Sequence, residues 1–199
     1  MCARFQANPN ESHYNAAKRI PIYPKGTMNV GLWYPNEDTL NFKGYSNSDF
    51  AGCKLDKKST SGICLLVGAS LISWNNKKQA YVTFSIAEAE YITAGSCFAQ
   101  ISWLKQQLSD FSLKVTKVPL FCYNTSSINL TKNPVHHSRT KHIDIIYHFI
   151  REQVSNGVCE IRFIEYEKQL VDFFTIPLAR DSFNYIRIEL GILDLSNIA

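Results

Sequence analysis

Acidic side chains occur where predicted strands end and predicted helices begin. Asp49 follows the first predicted strand, Glu90 lies in the first turns of a long helix, and Asp172 lies in a later helix. Carboxylate oxygens are the ligands that Mg²⁺ prefers, and two such ions about 3.5–4 Å apart can support phosphodiester hydrolysis. A site of this type needs several acids. The ends of the first and fourth predicted strands, where further acids are expected, hold Asn47 and Tyr123 instead.

A second group of chemically capable residues lies in the segment 136–142, near a predicted helix start. Arg139 and Lys141 could contact the phosphates of a nucleic-acid backbone, and His142 adds positive charge as the pH falls. A solvated basic helix face is the alternative explanation. The histidines of this region lack the spacing and the cysteine partners of zinc sites, so zinc binding is not favoured.

The first elements that must position these residues are three strands. Apolar, β-prone runs cover residues 42–48, 61–68 and 70–74, and Gly68 between the last two is a hairpin signal. Trp74 is expected to lie on a packed face. Consecutive strands joined by short connections favour an antiparallel arrangement.

Helices then alternate with strands. Apolar residues recur every three or four positions over residues 87–108, which predicts a long helix with a capping box of Ser85 and Glu88 and with Trp103 on its packing face. Further strands are predicted at residues 118–123 and 159–164, and further helices at 126–132, 140–154, 169–174 and 183–190. The pattern predicts an α/β fold with a mixed five-stranded sheet, in which three antiparallel and two parallel strands are flanked by helices.

The composition is that of a folded, mildly basic protein. The 199 residues are 45% hydrophobic, which excludes a disordered chain, and their net charge of +4 permits a nucleic-acid partner without requiring one. No apolar stretch approaches the roughly 20 residues of a membrane-spanning helix, and the N-terminus lacks the apolar core of a secretory signal. We therefore expect an intracellular protein of the cytoplasm or nucleus, without membrane contact. The oligomeric state is left open.

Short motifs spread over most of the chain carry a resemblance to a known family. They are Gly44-Tyr-Ser-Asn-Ser-Asp-Phe-Ala-Gly-Cys, Lys58-Ser-Thr-Ser-Gly, Leu71-Ile-Ser-Trp, Lys77-Lys-Gln, Ala87-Glu-Ala-Glu-Tyr, Asn124-Thr-Ser, Lys132-Asn-Pro, His137-Ser-Arg-Thr-Lys-His-Ile-Asp-Ile and Gln169-Leu-Val-Asp-Phe-Phe-Thr. In this order they resemble the ribonuclease H (RNase H) domain of copia-type LTR-retrotransposon Pol polyproteins. The resemblance implies an RNase H-like fold and the family's activity, cleavage of the RNA strand of RNA–DNA hybrids by two-metal hydrolysis.

The resemblance also implies which residues form the site. The family's four acidic positions are held here by Asn47, Glu90, Tyr123 and Asp172, so only Glu90 and Asp172 remain as ligands for Mg²⁺ or Mn²⁺. Asn47 keeps a carbonyl oxygen without the negative charge, and Tyr123 puts a neutral phenol in place of a carboxylate. Asp49 is a weak substitute for Asn47, because a residue two positions along a strand is shifted by about 6.7 Å. We therefore expect weak metal binding at most.

The terminal segments are predicted to lie outside the main domain. Pro21 and Pro24 each remove a backbone donor and are expected to interrupt an N-terminal helix, which is continuous in the family. We expect residues 1–40 to be a partly irregular remnant of the polymerase connection region, residues 41–180 to form the RNase H-like domain, and residues 181–199 to form a C-terminal helical tail.

Together these patterns favour a retrotransposon-derived RNase H-like domain that has lost catalysis with two of its four acids. One alternative is a nucleic-acid-binding module, for an RNA–DNA hybrid or another nucleic acid, that keeps the contacts of Arg139, Lys141 and His142. Another is an expressed remnant with no selected role. The chain contains no Tyr-x-Asp-Asp signature, so it does not carry a polymerase active site of that type.

Overall fold

The computed structural model describes residues 2–36, 41–132 and 144–197. Its strands are β1 Val30–Leu32, β2 Phe42–Asp49, β3 Thr60–Val67, β4 Ser70–Lys78, β5 Val118–Cys122, β6 Cys159–Phe163 and β7 Ile192–Asp194. Its α-helices are α1 Glu11–Gly26, α2 Ile86–Asp110, α3 Thr125–Lys132, α4 Asp144–Ser155, α5 Asp172–Thr175 and α6 Arg180–Glu189. The chain divides into two compact units, one formed by the residues up to 32 and from 192, the other by residues 33–191.

The larger unit is built on a five-stranded sheet with the order β4-β3-β2-β5-β6. Strands β2, β3 and β4 are antiparallel neighbours, whereas β5 runs parallel to β2 and β6 runs parallel to β5. The predicted mixed sheet is therefore confirmed. The β3–β4 hairpin turns at Gly68, whose φ of 61° lies in the left-handed region that glycine adopts without steric cost.

Helix α2 packs on β2 and β3 and supplies much of the core. Ser85 Oγ accepts a hydrogen bond from Glu88 N at 3.2 Å, and the Glu88 carboxylate accepts one from Phe84 N at 2.9 Å, so both predicted residues cap the helix. The predicted apolar face is buried, with Tyr91, Ala94, Phe98 and Ile101 fully shielded from solvent. This face fixes the rotation of α2 about its axis and thereby the direction of Glu90.

The two tryptophans that were expected in the core are exposed, so that prediction is wrong. Trp74 is 51% exposed and Trp103 is 56% exposed. Trp74 lies on the edge strand β4, whereas α2 covers β2 and β3. Trp103 follows the buried Ile101 by two positions, which places it about 200° around the helix, on the solvent side.

Helix α1 lies in the smaller unit and corrects the expectation that Pro21 and Pro24 interrupt it. The helix is continuous from Glu11 to Gly26 and contains both prolines. The carbonyl groups that lose their donors belong to Ala17 and Ile20, four residues earlier, and both residues are exposed. Water can satisfy these carbonyls, which lowers the cost of each missing backbone hydrogen bond.

The smaller unit also contains an antiparallel pairing of β1 with β7. Strand β7 lies in the predicted helical tail and was not expected, because three residues are too few to show a period-two pattern. The predicted domain bounds at residues 40 and 180 stay predictions. None of the helices in the described ranges combines the length and apolar character needed to cross a bilayer.

Candidate active site

The four positions at which acids were expected lie in one cluster. Three of them lie on a strand or a helix, each on a different one, and the fourth directly follows a strand. Asn47 on β2 is 4% exposed, Glu90 on α2 is 2% exposed and Asp172 on α5 is 1% exposed. Tyr123 follows β5 directly and is partly buried. Asn47 is hydrogen-bonded to Asp172, the charge of Asp172 acts on Glu90, and Tyr123 lies beside Glu90.

Both polar atoms of the Asn47 side chain are used within the protein. Asn47 Nδ2 donates a hydrogen bond to Asp172 Oδ1 at 2.5 Å. Asn47 Oδ1 accepts a hydrogen bond from the backbone nitrogen of Ser48 at 2.6 Å. The amide oxygen therefore already accepts one backbone hydrogen bond, and the amide nitrogen meets a carboxylate.

Two residues to which the sequence assigned no role bring Asp172 to β2. Gly62 pairs with Asn47 across β2 and β3, and a side chain at position 62 would collide with Thr175 of α5. Gln169 is fully buried and its Nε2 donates to Ser46 O at 3.2 Å, which ties the start of α5 to β2. The signal that could have identified Gln169 is its place as a polar residue directly before the apolar pair 170–171.

Glu90 receives two neutral donors from the segment after β5. The side chains of Asn124 and Tyr123 lie near its carboxylate and lower its pKa as neutral donors, while Glu90 Oε1 has no hydrogen-bond partner among the described residues. Asn124 Oδ1 accepts from the backbone nitrogens of Ser126 at 2.9 Å and Ser127 at 3.2 Å, so its amide nitrogen is the atom available to Glu90. The Tyr123 ring packs edge-to-face against Tyr166, with ring centroids 5.9 Å apart.

Burial raises the pKa of both remaining carboxyl groups. The pKa of Glu90 rises to about 7, chiefly through burial and further through the charge of Asp172, against the hydrogen bonds from Asn124 and Tyr123. The pKa of Asp172 rises to about 6 through burial, against the hydrogen bond from Asn47. Burial and the nearby charge of Glu90 also raise the pKa of the Tyr123 hydroxyl, which therefore stays protonated as a donor.

These shifts predict that the free energy of unfolding falls as the pH rises from about 4 to about 8. In the unfolded chain Glu90 and Asp172 release their protons near their ordinary pKa values of 4.5 and 3.8, whereas the folded protein holds them to about 7 and 6. The stabilisation is complete below the unfolded values and is lost as the pH rises through the folded ones. For Glu90 it amounts to roughly 2–3 kcal/mol.

Urea denaturation across this pH range measures the effect. Glu90→Gln is expected to remove roughly 2–3 kcal/mol of the decline, whereas Glu152→Gln, at an exposed glutamate, is expected to leave the wild-type profile unchanged. Parallel pH profiles for wild type and Glu90→Gln would contradict the assignment.

The remaining predicted site residues lie elsewhere or outside the described residues. Asp49 ends β2, and its carboxylate lies against Gly52 in the following turn, where it leaves no space for a side chain. Its role as a weak substitute for Asn47 stays a prediction. Arg139, Lys141 and His142 fall outside the described residues, so their contact with nucleic acid is also a prediction.

Sequence relatives identify the chain. It is 38% identical over 191 residues to the Retrovirus-related Pol polyprotein from transposon RE1 of Arabidopsis thaliana, covering 96% of this chain and 13% of that protein. It is 34% identical over 192 residues to the corresponding polyprotein from transposon RE2 of the same plant, with coverage of 96% and 13%. The chain belongs to the copia-type retrotransposon Pol family. It spans a small part of these relatives, and no family model matches it.

Solved structures show the fold of this Pol-family chain. The crystal structure of LC11-RNase H1 in complex with RNA/DNA hybrid aligns with a TM-score of 0.52 and 10% identity, covering 67% of this chain and 93% of that one. The N-terminal RNase H domain of a Mycobacterium tuberculosis protein aligns with a TM-score of 0.50 and 10% identity, covering 73% and 96%. At this identity the likeness concerns the fold alone, and it confirms the predicted RNase H-like fold.

The donor set of this Pol-family site does not fit a pair of divalent ions. Hard cations depend on negatively charged oxygen ligands, and the cluster offers two carboxylates, both with raised pKa values. Across the described ranges there is no group of three or more His, Cys, Asp or Glu side chains that could hold a metal. Asn47 and Tyr123 present hydrogen-bond donors to Asp172 and Glu90, where a cation would require ligands.

Proposed function

We propose that this chain is an RNase H-like domain of a retrotransposon Pol protein that binds RNA–DNA hybrids without hydrolysing them. The observation that carries the loss of hydrolysis is the contact of Asn47 Nδ2 with Asp172 Oδ1 at 2.5 Å. A neutral amide there engages a carboxylate that two-metal hydrolysis would need as a metal ligand. The Tyr123 hydroxyl beside Glu90 likewise puts a neutral donor where two-metal hydrolysis would need a further ligand.

The lack of acids at positions 47 and 123 gives further support for inactivity. In two-metal hydrolysis the ions generate the attacking hydroxide and stabilise the leaving oxygen. Mg²⁺ or Mn²⁺ is the cofactor expected for an active family member, with Glu90 and Asp172 as the remaining ligands here. Two carboxyl groups supply at most two negative charges, half the number that the family's four acidic positions would carry.

Binding of a hybrid is supported by the fold and by charge. LC11-RNase H1, which shares the fold, was crystallised with an RNA/DNA hybrid. The present chain is basic overall, with a net charge of +4, and concentrates Arg139 and Lys141 in one short segment. Lysine and arginine contacts to phosphates release counterions, so the affinity is expected to fall steeply with salt.

Replacement of both Arg139 and Lys141 by alanine is expected to weaken hybrid binding roughly tenfold at low salt and to reduce the salt dependence. Fluorescence anisotropy with a labelled RNA–DNA hybrid measures both quantities, and RNA recovered after incubation with wild type in Mg²⁺ is expected at full length. Arg19→Ala with Lys25→Ala removes the same charge from exposed positions of α1 and serves as the control. Equal affinities of the two double variants would contradict the assigned contact, and no binding by wild type at low salt would contradict the proposed function.

A further inference from the structure

The buried carboxylates of the site are held by neutral donors. Glu90 and Asp172 are 2% and 1% exposed, and none of the ion pairs among the described residues involves either of them. Asp172 accepts a hydrogen bond from the Asn47 amide at 2.5 Å, and Glu90 has the neutral side chains of Tyr123 and Asn124 beside it, with its Oε1 unpartnered within the described ranges. The neighbours of the two carboxyl groups are therefore uncharged donors.

A four-acid version of this cluster would carry a large electrostatic cost without a cation. Burying one ionised carboxylate costs several kcal/mol unless it is compensated, and carboxylates that share a site also repel each other. Aspartates at positions 47 and 123 would add two negative charges directly beside Asp172 and Glu90. Such a cluster is stable when a divalent ion neutralises it.

Compared with an aspartate at the same position, Asn47 and Tyr123 each remove a negative charge and add a hydrogen-bond donor. Asparagine has nearly the shape of aspartate, and the nitrogen that replaces an oxygen at position 47 is the atom that meets Asp172. Asn47 Oδ1 is held by Ser48 N at 2.6 Å, which fixes the amide in the orientation that presents this nitrogen. The Tyr123 ring is supported by Tyr166 while its hydroxyl donates to Glu90.

We propose that Asn47 and Tyr123 take the place of a divalent cation in stabilising this site, so that the domain folds with its two buried carboxyl groups without needing metal. This inference rests on the proposed function, in which the site does not operate as a metal-dependent nuclease. It goes further, because it assigns the two residues a role in stability rather than a mere loss of ligands. Folding then depends on the Asn47–Asp172 hydrogen bond and on the Tyr123 hydroxyl beside Glu90, where a four-acid site would depend on a cation.

Thermal unfolding followed by circular dichroism tests the proposal, at mildly alkaline pH, in EDTA and in millimolar Mg²⁺. The Tm of wild type is expected to be the same in both. Asn47→Asp with Tyr123→Asp is expected to lower the Tm in EDTA by at least about 4 °C and to regain the loss in Mg²⁺. Asn75→Asp with Tyr81→Asp makes the same chemical changes at exposed positions and is expected to show no dependence on Mg²⁺.

Three results would overturn the proposal. They are a wild-type Tm that rises with Mg²⁺, a double variant as stable as wild type in EDTA, and a double variant that loses stability in EDTA without regaining it in Mg²⁺. If the double variant does not fold in EDTA, Asn47→Asp alone is measured against the same criteria. No nucleic acid is present, so the outcome does not depend on whether the chain binds or cleaves a hybrid.

Discussion

Replacing Asn47 and Tyr123 together by aspartate is expected to produce Mg²⁺-dependent cleavage of an RNA–DNA hybrid, at a rate at least about 100-fold above that of wild type. The reason is that the four positions which the resemblance assigns to acids lie close together in the structure. Asn47, Glu90 and Asp172 are buried within one cluster and Tyr123 contacts Glu90. Denaturing electrophoresis of a hybrid with labelled RNA, after incubation in Mg²⁺ and in EDTA, measures the gain.

The controls separate restored chemistry from contamination and from misfolding. Adding Glu90→Gln to the double variant is expected to abolish the cleavage, because the site then loses one of its four carboxylates. The exposed pair Asn75→Asp and Tyr81→Asp is expected to leave the RNA intact. A double variant that is folded by circular dichroism in Mg²⁺ and still leaves the RNA intact would contradict the assignment of positions 47 and 123.

Truncating Phe98 to alanine is expected to lower the free energy of unfolding by about 3–5 kcal/mol. Phe98 is fully buried on α2, in the same core cluster as Leu65 of β3 and Leu120 of β5. The loss combines the transfer of the ring from water with the cavity that it leaves. Urea denaturation followed by circular dichroism measures it.

Trp103→Ala is the matched control for the core, because it removes a larger side chain from the same helix. Trp103 is 56% exposed, so the expected loss is within about 1 kcal/mol. Equal losses for Phe98→Ala and Trp103→Ala would contradict the described rotation of α2. Since Glu90 lies on the same helix, that result would also contradict the position of the Glu90 side chain in the site.

The sheet and the long helix were predictable because their signals are local. The period of three and four residues along α2 and the hairpin glycine at position 68 each depend on neighbouring residues alone. The continuous α1 was not predictable, because the cost of Pro21 and Pro24 depends on whether water reaches the carbonyls of Ala17 and Ile20. The pairing of β1 with β7 joins residues 30–32 to residues 192–194, and neither segment is long enough to show a strand pattern.

In the candidate site, too, local motifs were predictable and tertiary contacts were not. The positions 47, 90, 123 and 172 followed from motifs, and the structure gathers them in one cluster, while their roles stay predictions. The contacts among them could not be predicted, because Asn47 and Asp172 are 125 residues apart in sequence and meet only through tertiary packing. The supporting residues Gln169 and Gly62 act through the approach of α5 to the sheet, and the only local signal for either is the polar Gln169 directly before the apolar pair 170–171.

Incubation of the wild-type chain with a hybrid carrying labelled RNA, in Mg²⁺ and separately in Mn²⁺, tests the central claim most directly. Glu90→Gln is included to identify any activity that belongs to this site. With Asn47 hydrogen-bonded to Asp172 and the neutral Tyr123 beside Glu90, the RNA is predicted to remain at full length with both proteins and both ions. RNA fragments that form with wild type and are absent with Glu90→Gln would contradict the account.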